Sequence, residues 1–370
     1  MKIVFIGCRD IKLLGGIESY MAHLTSELVK LGHEPIVYCE SDKNSIEVNQ
    51  GVTIIHRKGF RSNLICKPWV SLKATLRTLI KEQNVSLIHY NAWPPSLWSF
   101  LPRIFGIKSL MQGHGLEWQR SKYTPRQQKV MKFMEKVTAY TNQHLIMCSE
   151  GQTKYFKEKY NKIATTIPTA VNLPSEHGIN ESATLKRFGL ESKRYFLFMA
   201  RLVQDKNPDY LIEGFRASVK GGMKLVIAGS NDADPKYVEY LRELAVGDDD
   251  VIFTGAIYGN EKDTLLRNAY AFCIPSTIEG LSIVLLEAMS YQLPVIASDI
   301  DANRELLGDD AVWVRPENAN DISEAIDFCV NHQEVIENFR IKNFNKVAAN
   351  YTWDKVALKY VEYVKSILNE

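Results

Sequence analysis

Residues 270–299 read YAFCIPSTIEGLSIVLLEAMSYQLPVIASD, and this stretch decides the fold. Residues 271–274 form a short apolar run, 275–280 are punctuated as a loop, 281–291 have the apolar spacing of a buried helix, and 294–298 are apolar again. That is one strand, loop, helix, strand unit of a parallel sheet, and such sheets bind ligands in the crevice at the carboxyl ends of their strands. Glu279 falls in the loop before the helix and Glu287 about two turns into it, so both carboxylates are placed to face the crevice. The amides of Gly280, Leu281, Ser282 and Ile283 are helix-start donors aimed at the same place, which suits an anion such as a diphosphate. Carboxylates that hold hydroxyls beside amides that hold phosphate fit a nucleotide-sugar.

The segment EGLSIVLLEAM, with Glu279 and Glu287 eight apart, resembles the E-x7-E motif of retaining glycosyltransferases of family 4, the type with two Rossmann-like domains. The resemblance implies that Glu287 binds the ribose of the donor nucleotide and that Glu279 contacts donor-sugar hydroxyls. It also implies that the amides between them hold the diphosphate. The spacing alone equally suits a core helix with two incidental glutamates, so the other motifs must carry the family reading.

At 370 residues the chain is long enough for two domains with separate cores. Hydrophobic content of 45% and charged content of 24% are those of a globular protein. Cys8, Cys39, Cys66, Cys148, Cys273 and Cys329 are scattered, with no C-x-x-C pair, and read as reduced buried thiols of a cytoplasmic protein. The first ten residues are too soon charged for a signal peptide. No apolar run reaches the ~18 residues of a membrane span, so any membrane contact is expected to be peripheral. Residues 1–180 carry 24 Lys and Arg against 13 Asp and Glu, whereas residues 181–370 carry 21 against 30. That split suggests two domains with different partners, the basic one facing something anionic, or surface charge that merely sorted unevenly. Nothing in the pattern calls for nucleic acid.

In the first half, an apolar strand at 2–6 leads through Gly15 and Gly16 to a helical pattern that ends at Gly32. The glycine spacing is not G-x-G-x-x-G, which speaks against a nicotinamide enzyme. G-G-I-E at Gly15–Glu18 is similar to the family's G-G-x-E loop, implying that Gly15 and Gly16 approach the donor phosphates and that Glu18 lies toward the acceptor; alone, such a pair is only a turn. The strand at 109–112 runs into Gly113-His114-Gly115-Leu116-Glu117, a histidine between glycines with little to pack against. By position His114 matches the family histidine that hydrogen-bonds the transferred sugar. Residues 116–120, LEWQR, resemble bacterial capsule and cell-surface polysaccharide transferases that build on lipid-linked acceptors, which makes Glu117 an acceptor candidate. A helix over 123–143 groups Arg126, Lys129, Lys132 and Lys136 beside Val130, Phe133, Met134 and Val137. It reads either as an ordinary amphipathic helix or as a basic face for an anionic membrane or a lipid-diphosphate acceptor. Ser149 and Gln152 stand in capping-box relation before a helix at 153–159.

In the second half, the strand at 195–199 runs into ARLVQDKNP, which places Arg201 and Lys206 on the loop before a helix that Pro208 opens. Two cations at a strand end suit a diphosphate. They match the family's G-R-L-x-x-x-K-G with Ala200 and Asn207 in place of the glycines, and the resemblance implies that both stabilise the leaving phosphate. Gly229 ends the next strand in a phosphate-side turn, and Ile257 lies in the loop that frames the nucleobase in the family. Asp299-Ile300-Asp301 has the form of a D-x-D metal motif but reads as loop and helix capping, so no metal or other cofactor is expected.

The fold class expected is α/β, two doubly wound Rossmann-like parallel-sheet domains facing each other across a cleft. Their expected bounds are 1–172 and 193–350, with a linker over 173–192 and a terminal helix over 351–370 returning to the first domain. The activity implied is metal-independent transfer of a sugar from a UDP-, GDP- or dTDP-sugar to a saccharide or lipid-diphosphate-saccharide acceptor. A nucleotide-sugar epimerase and a non-catalytic sugar-nucleotide-binding subunit are the alternatives.

Overall fold

The computed structural model describes residues 1–12, 16–59, 63–119, 123–175, 181–231 and 234–370, and for residues 63–65 and 117 the backbone alone. The chain forms two units, residues 1–170 with 353–370 and residues 171–352.

The first unit is built on β1 (Lys2–Cys8), β2 (Glu34–Ser41), β3 (Ser45–Asn49), β4 (Val52–Lys58), β5 (Val85–Asn91), β6 (Lys108–Gly113), β7 (His144–Met147) and β8 (Thr165–Thr166). They lie in the order β3-β4-β2-β1-β5-β6-β7-β8, parallel except for β3 against β4. Ile3, Phe5, Leu87, Leu110 and Ile146 form a buried core with apolar side chains of two helices, Gly16–Lys30 and Trp353–Asn369. Both helices are amphipathic, so each supplies one apolar stripe to that core. In it the hydroxyl of Tyr360 is hydrogen-bonded to Nδ1 of His89, 2.9 Å apart and 271 residues distant in sequence.

The second unit carries β9 (Tyr195–Met199), β10 (Lys224–Ala228), β11 (Val251–Gly255), β12 (Ala271–Ile274), β13 (Val295–Ser298) and β14 (Val312–Val314), in the order β11-β10-β9-β12-β13-β14. All neighbours are parallel. β9 and β12 are wholly buried, which is why they read as unbroken apolar runs rather than alternating ones. The chain enters at β9 in the middle, builds outward to β11, and returns to place β12 on the other side of β9. The direction of winding therefore reverses between β9 and β12, where loops diverge and ligands find room.

Several local expectations change. The Asn63–Lys81 helix carries Pro68 in its second turn, which removes one backbone hydrogen bond, and Trp98 Nε1 donates to the Pro68 carbonyl at 2.7 Å. β3 was not foreseen; its five residues, SIEVN, alternate polar and apolar, but Ile46 and Val48 stay exposed. The stretch expected as a linker, 173–192, contains the Glu181–Arg187 helix, which packs on the Gly259–Asn268 helix and pairs Glu181 with Arg267 at 3.0 Å. Ser149 caps the Glu150–Tyr160 helix by accepting from the Gln152 amide, but the Gln152 side chain has no hydrogen bond among the described residues; the reciprocal box occurs instead at Thr124 and Gln127. All six cysteines are buried and none is in a disulfide among the described residues. No described helix is long and apolar enough to cross a membrane.

Candidate functional site

The loops that follow β9, β10 and β12 come together at the point where winding reverses. After β9, Gln204–Lys206 makes a single turn and Asn207 takes the left-handed conformation, φ 49° and ψ 43°, before Pro208 opens the Pro208–Ala217 helix. Asparagine tolerates this region better than most side chains, which explains how it replaces glycine there. Its buried Nδ2 donates to the Pro275 carbonyl at 2.9 Å, while the Thr277 amide and hydroxyl both donate to the Asp205 carbonyl, at 3.0 and 3.2 Å. The two loops are thus stitched together. Lys206 reaches across the seam to Glu279, Nζ to Oε1 2.5 Å, and Ser276 Oγ donates to the same carboxylate oxygen at 2.8 Å. Arg201 is exposed and has no ion-pair partner among the described residues.

Ser282, extended at φ −79° and ψ 109°, begins the Ile283–Ser290 helix without capping it through its side chain. The first amides of that helix are left for another acceptor. Because the helix starts at Ile283 and not at 281, Glu287 lies about one turn into it, closer to the loop than the two turns expected. Glu287 accepts from Lys262 Nζ at 2.7 Å. Lys262 and Ser276 were not picked out by sequence reasoning, and Asn207 only as a replacement for a family glycine. Lys262 sits in an ordinary amphipathic helix, Gly259–Asn268, and no motif distinguishes it from other surface lysines.

Gly229 lies where the chain leaves β10. A Cβ there would stand 1.9 Å from the Ala200 carbonyl oxygen, so the glycine is what lets the loop bearing Arg201 pass close by. Leu202 N donates to the Ser230 carbonyl and Asn231 Nδ2 to the Leu202 carbonyl, which fixes the approach. Ile257 is buried in the core of the second unit. Gly280, Leu281 and Ile283 are half-buried.

Asp299 does not cap the Asp301–Leu307 helix. The cap position is Ile300, which has no side-chain acceptor, and Asp299 forms two hydrogen bonds with Arg304 at 2.6 and 2.9 Å. Arg304 in turn lies 3.8 Å over the Trp313 ring. Among the described residues no three His, Cys, Asp or Glu side chains gather as a metal would require.

In the first unit His114 is packed, contrary to the expectation for a histidine between two glycines. Its Nε2–H donates to Asn91 Oδ1 at 3.0 Å, Nδ1 lies 3.6 Å from Cys148 Sγ, and Tyr20 meets the ring edge-on at 5.0 Å. Burial pushes its pKa down to about 4, against a smaller opposing pull from Glu18. A sugar contact at His114 therefore needs one of these partners to give way. Glu18 is buried and paired with Arg9 at 2.9 Å; burial resists its ionisation, but the Arg9 hydrogen bond and charge hold its pKa below the ordinary value. Gly16 opens the first helix, and Gly15 lies outside the described residues. The side chain of Glu117 is likewise outside them. Arg126, Lys129, Lys132 and Lys136 are all exposed on the Pro125–Thr141 helix, and Lys132 stands 4.1 Å over the Trp118 ring.

The histidines give a pH dependence. His114 and the buried His89 both have folded pKa values below the ordinary 6.5, so below that pH the unfolded chain binds more protons than the folded one. Stability is expected to be level above pH 7 and to fall progressively from about pH 6.5 toward 4. Urea midpoints measured across that range check this, and His114→Gln should flatten the slope; equal slopes would show that His114 is not held neutral.

Residues 14–174 match the family description Glycosyltransferase Family 4, and residues 182–346 match Glycosyl transferases group 1. An uncharacterized glycosyltransferase of Methanocaldococcus jannaschii is 26% identical, over 96% of this chain and 95% of that protein. The O-antigen chain mannosyltransferase RfbU of Salmonella typhimurium is 27% identical, over 62% of each. Among solved structures, HepE of Anabaena in complex with UDP-glucose superposes with a TM-score of 0.79 at 13% identity, covering 99% of this chain and all of that one.

Proposed function

Because the chain belongs to the family 4 glycosyltransferases, we propose that it is a retaining enzyme that moves a sugar from a nucleotide-sugar to a saccharide or lipid-linked acceptor in the synthesis of a bacterial surface polysaccharide. The observation that carries this reading is the Lys206–Glu279 pair beside the uncapped start of the Ile283–Ser290 helix, at the point where the sheet reverses its winding. As a glycosyl bond breaks, negative charge builds on the departing diphosphate, and preorganised donors stabilise it most where water is excluded. Arg201, Lys206 and the free helix-start amides are such donors. Glu279 orients sugar hydroxyls and Glu287, braced by Lys262, holds the ribose. The UDP-glucose bound to HepE and the O-antigen role of RfbU support the donor class and the product class, respectively.

Incubating the purified protein with UDP-, GDP- and dTDP-sugars tests this directly. A cognate donor at 100 times its Kd should stabilise the fold by about 2.7 kcal/mol, and transfer should yield the donor's own anomeric configuration. No stabilisation by any of them, or an inverted product, would overturn it. With protein cations supplying the charge, activity is expected to survive excess EDTA. Loss restored by Mn²⁺ or Mg²⁺ would instead bring Asp299 and Asp301 into the site.

The lipid-linked acceptor and a location at the inner membrane face rest on the four exposed cations of the Pro125–Thr141 helix. Each contributes on the order of 1 kcal/mol at most near an anionic surface, and salt screens it.

A further inference from the structure

The Asn63–Lys81 helix and the neighbouring Phe100–Ile104 helix pack against each other in the first unit. Their outer side carries large apolar side chains. Trp69, Leu76 and Ile80 fall on one stripe of the longer helix, at spacings of seven and four, and Phe100, Ile104 and Phe105 project from the shorter one and its end. Ile80, Ile104 and Phe105 are 74%, 72% and 64% exposed. Scattered apolar residues on a surface need no explanation, but six large ones on two touching helices make a patch.

The charges around it decide the partner. Lys73, Lys81 and Arg103 are exposed on the same two helices, and neither helix contains a carboxylate. Lys73 lies 5.0 Å over the Trp69 ring, its stem along the apolar stripe and its ammonium at the rim. On the Pro125–Thr141 helix the single carboxylate, Glu135, is wholly buried and held by Trp118, Tyr155, Tyr160 and Lys159. A second copy of this face would set cations against cations. An anionic bilayer offers both what the cations need and an apolar layer for the side chains between them.

We propose that the 63–81 and 100–105 ridge inserts into the interfacial layer of an anionic membrane. The cations of the 125–141 helix provide long-range attraction, whereas the ridge provides a short-range hold that salt does not screen. This deepens the peripheral-membrane reading above and rests on it for the partner, but not on the identity of the donor.

The test uses the full chain and vesicles of phosphatidylcholine with and without phosphatidylglycerol, sedimented at low and high salt. The wild type should bind the anionic vesicles and keep a measurable fraction bound at high salt. Ile80→Ser, Ile104→Ser and Phe105→Ser combined should lower the partition coefficient by about ten-fold or more, abolish the salt-resistant fraction and leave the thermal midpoint unchanged, since all three side chains lie on the surface. Changing Arg126, Lys129, Lys132 and Lys136 to glutamine should remove the salt-sensitive part only. If the triple variant binds like the wild type at both salts, the ridge does not insert. If the wild type dimerises without vesicles and the triple variant does not, the ridge is a self-association face and the proposal is overturned. A wild type that ignores anionic vesicles altogether removes the membrane reading with it, while leaving donor turnover to be judged separately.

Discussion

Arg201→Ala or Lys206→Ala is expected to cut turnover by roughly 100-fold or more, the scale for removing one preorganised donor from a developing charge, with little change in urea midpoint. Arg201 is exposed and unpaired among the described residues, so its loss breaks no side-chain hydrogen bond or ion pair among them. Lys206 is different, because its removal leaves Glu279 held only by Ser276. That variant should therefore also raise KM, since the freed carboxylate repels the diphosphate. The measurement is steady-state release of nucleoside diphosphate with the donor that the thermal panel identifies. Kinetics like the wild type's in either variant would remove that cation from the site.

Gly229→Ala should be the most damaging single substitution for the fold of the second unit. Its Cβ would meet a backbone oxygen, Ala200 O, at 1.9 Å, and backbone cannot move aside as a flexible side chain can. The loop that would have to shift is pinned by the Leu202 and Asn231 hydrogen bonds and carries Arg201. A loss of about 3 kcal/mol or more is expected, read as a lowered urea midpoint or as failure to accumulate soluble protein. Gly247→Ala serves as a control, because its Cβ meets nothing within 4 Å and only its φ of 81° resists. Comparable midpoints for the two would show that the close approach at Gly229 is not maintained in solution.

The second unit was legible because its strands are buried on both sides and its site loops carry chemistry in their residue types. Continuous apolar runs ending in Arg201, Lys206, Gly229 and Glu279 point at once to strand ends and to an anion. What sequence could not supply was pairing between loops far apart in the chain. That Lys206 would meet Glu279, or Lys262 meet Glu287, depends on β12 returning beside β9, and nothing local to either lysine announces it. The first unit was harder. The alternation of β3, Ser45-Ile46-Glu47-Val48-Asn49, spans only five residues and went unread. His114 was misjudged for a related reason: its packing comes from Tyr20, Asn91 and Cys148, on three other segments.

The hydrogen bond between His89 and Tyr360 sets an order on synthesis. The second unit is one uninterrupted stretch, 171–352, and can complete its contacts while the chain is still being made. The sheet of the first unit leaves the ribosome earlier but must wait for residues 353–370, whose Trp353, Val356, Tyr360 and Val364 fill its core. Until they arrive, the face of that sheet made by Phe5, Leu87 and Leu110 lacks part of its cover. Nascent chains should therefore be most exposed to chaperones and proteases in the interval after the second unit has closed and before the last helix emerges.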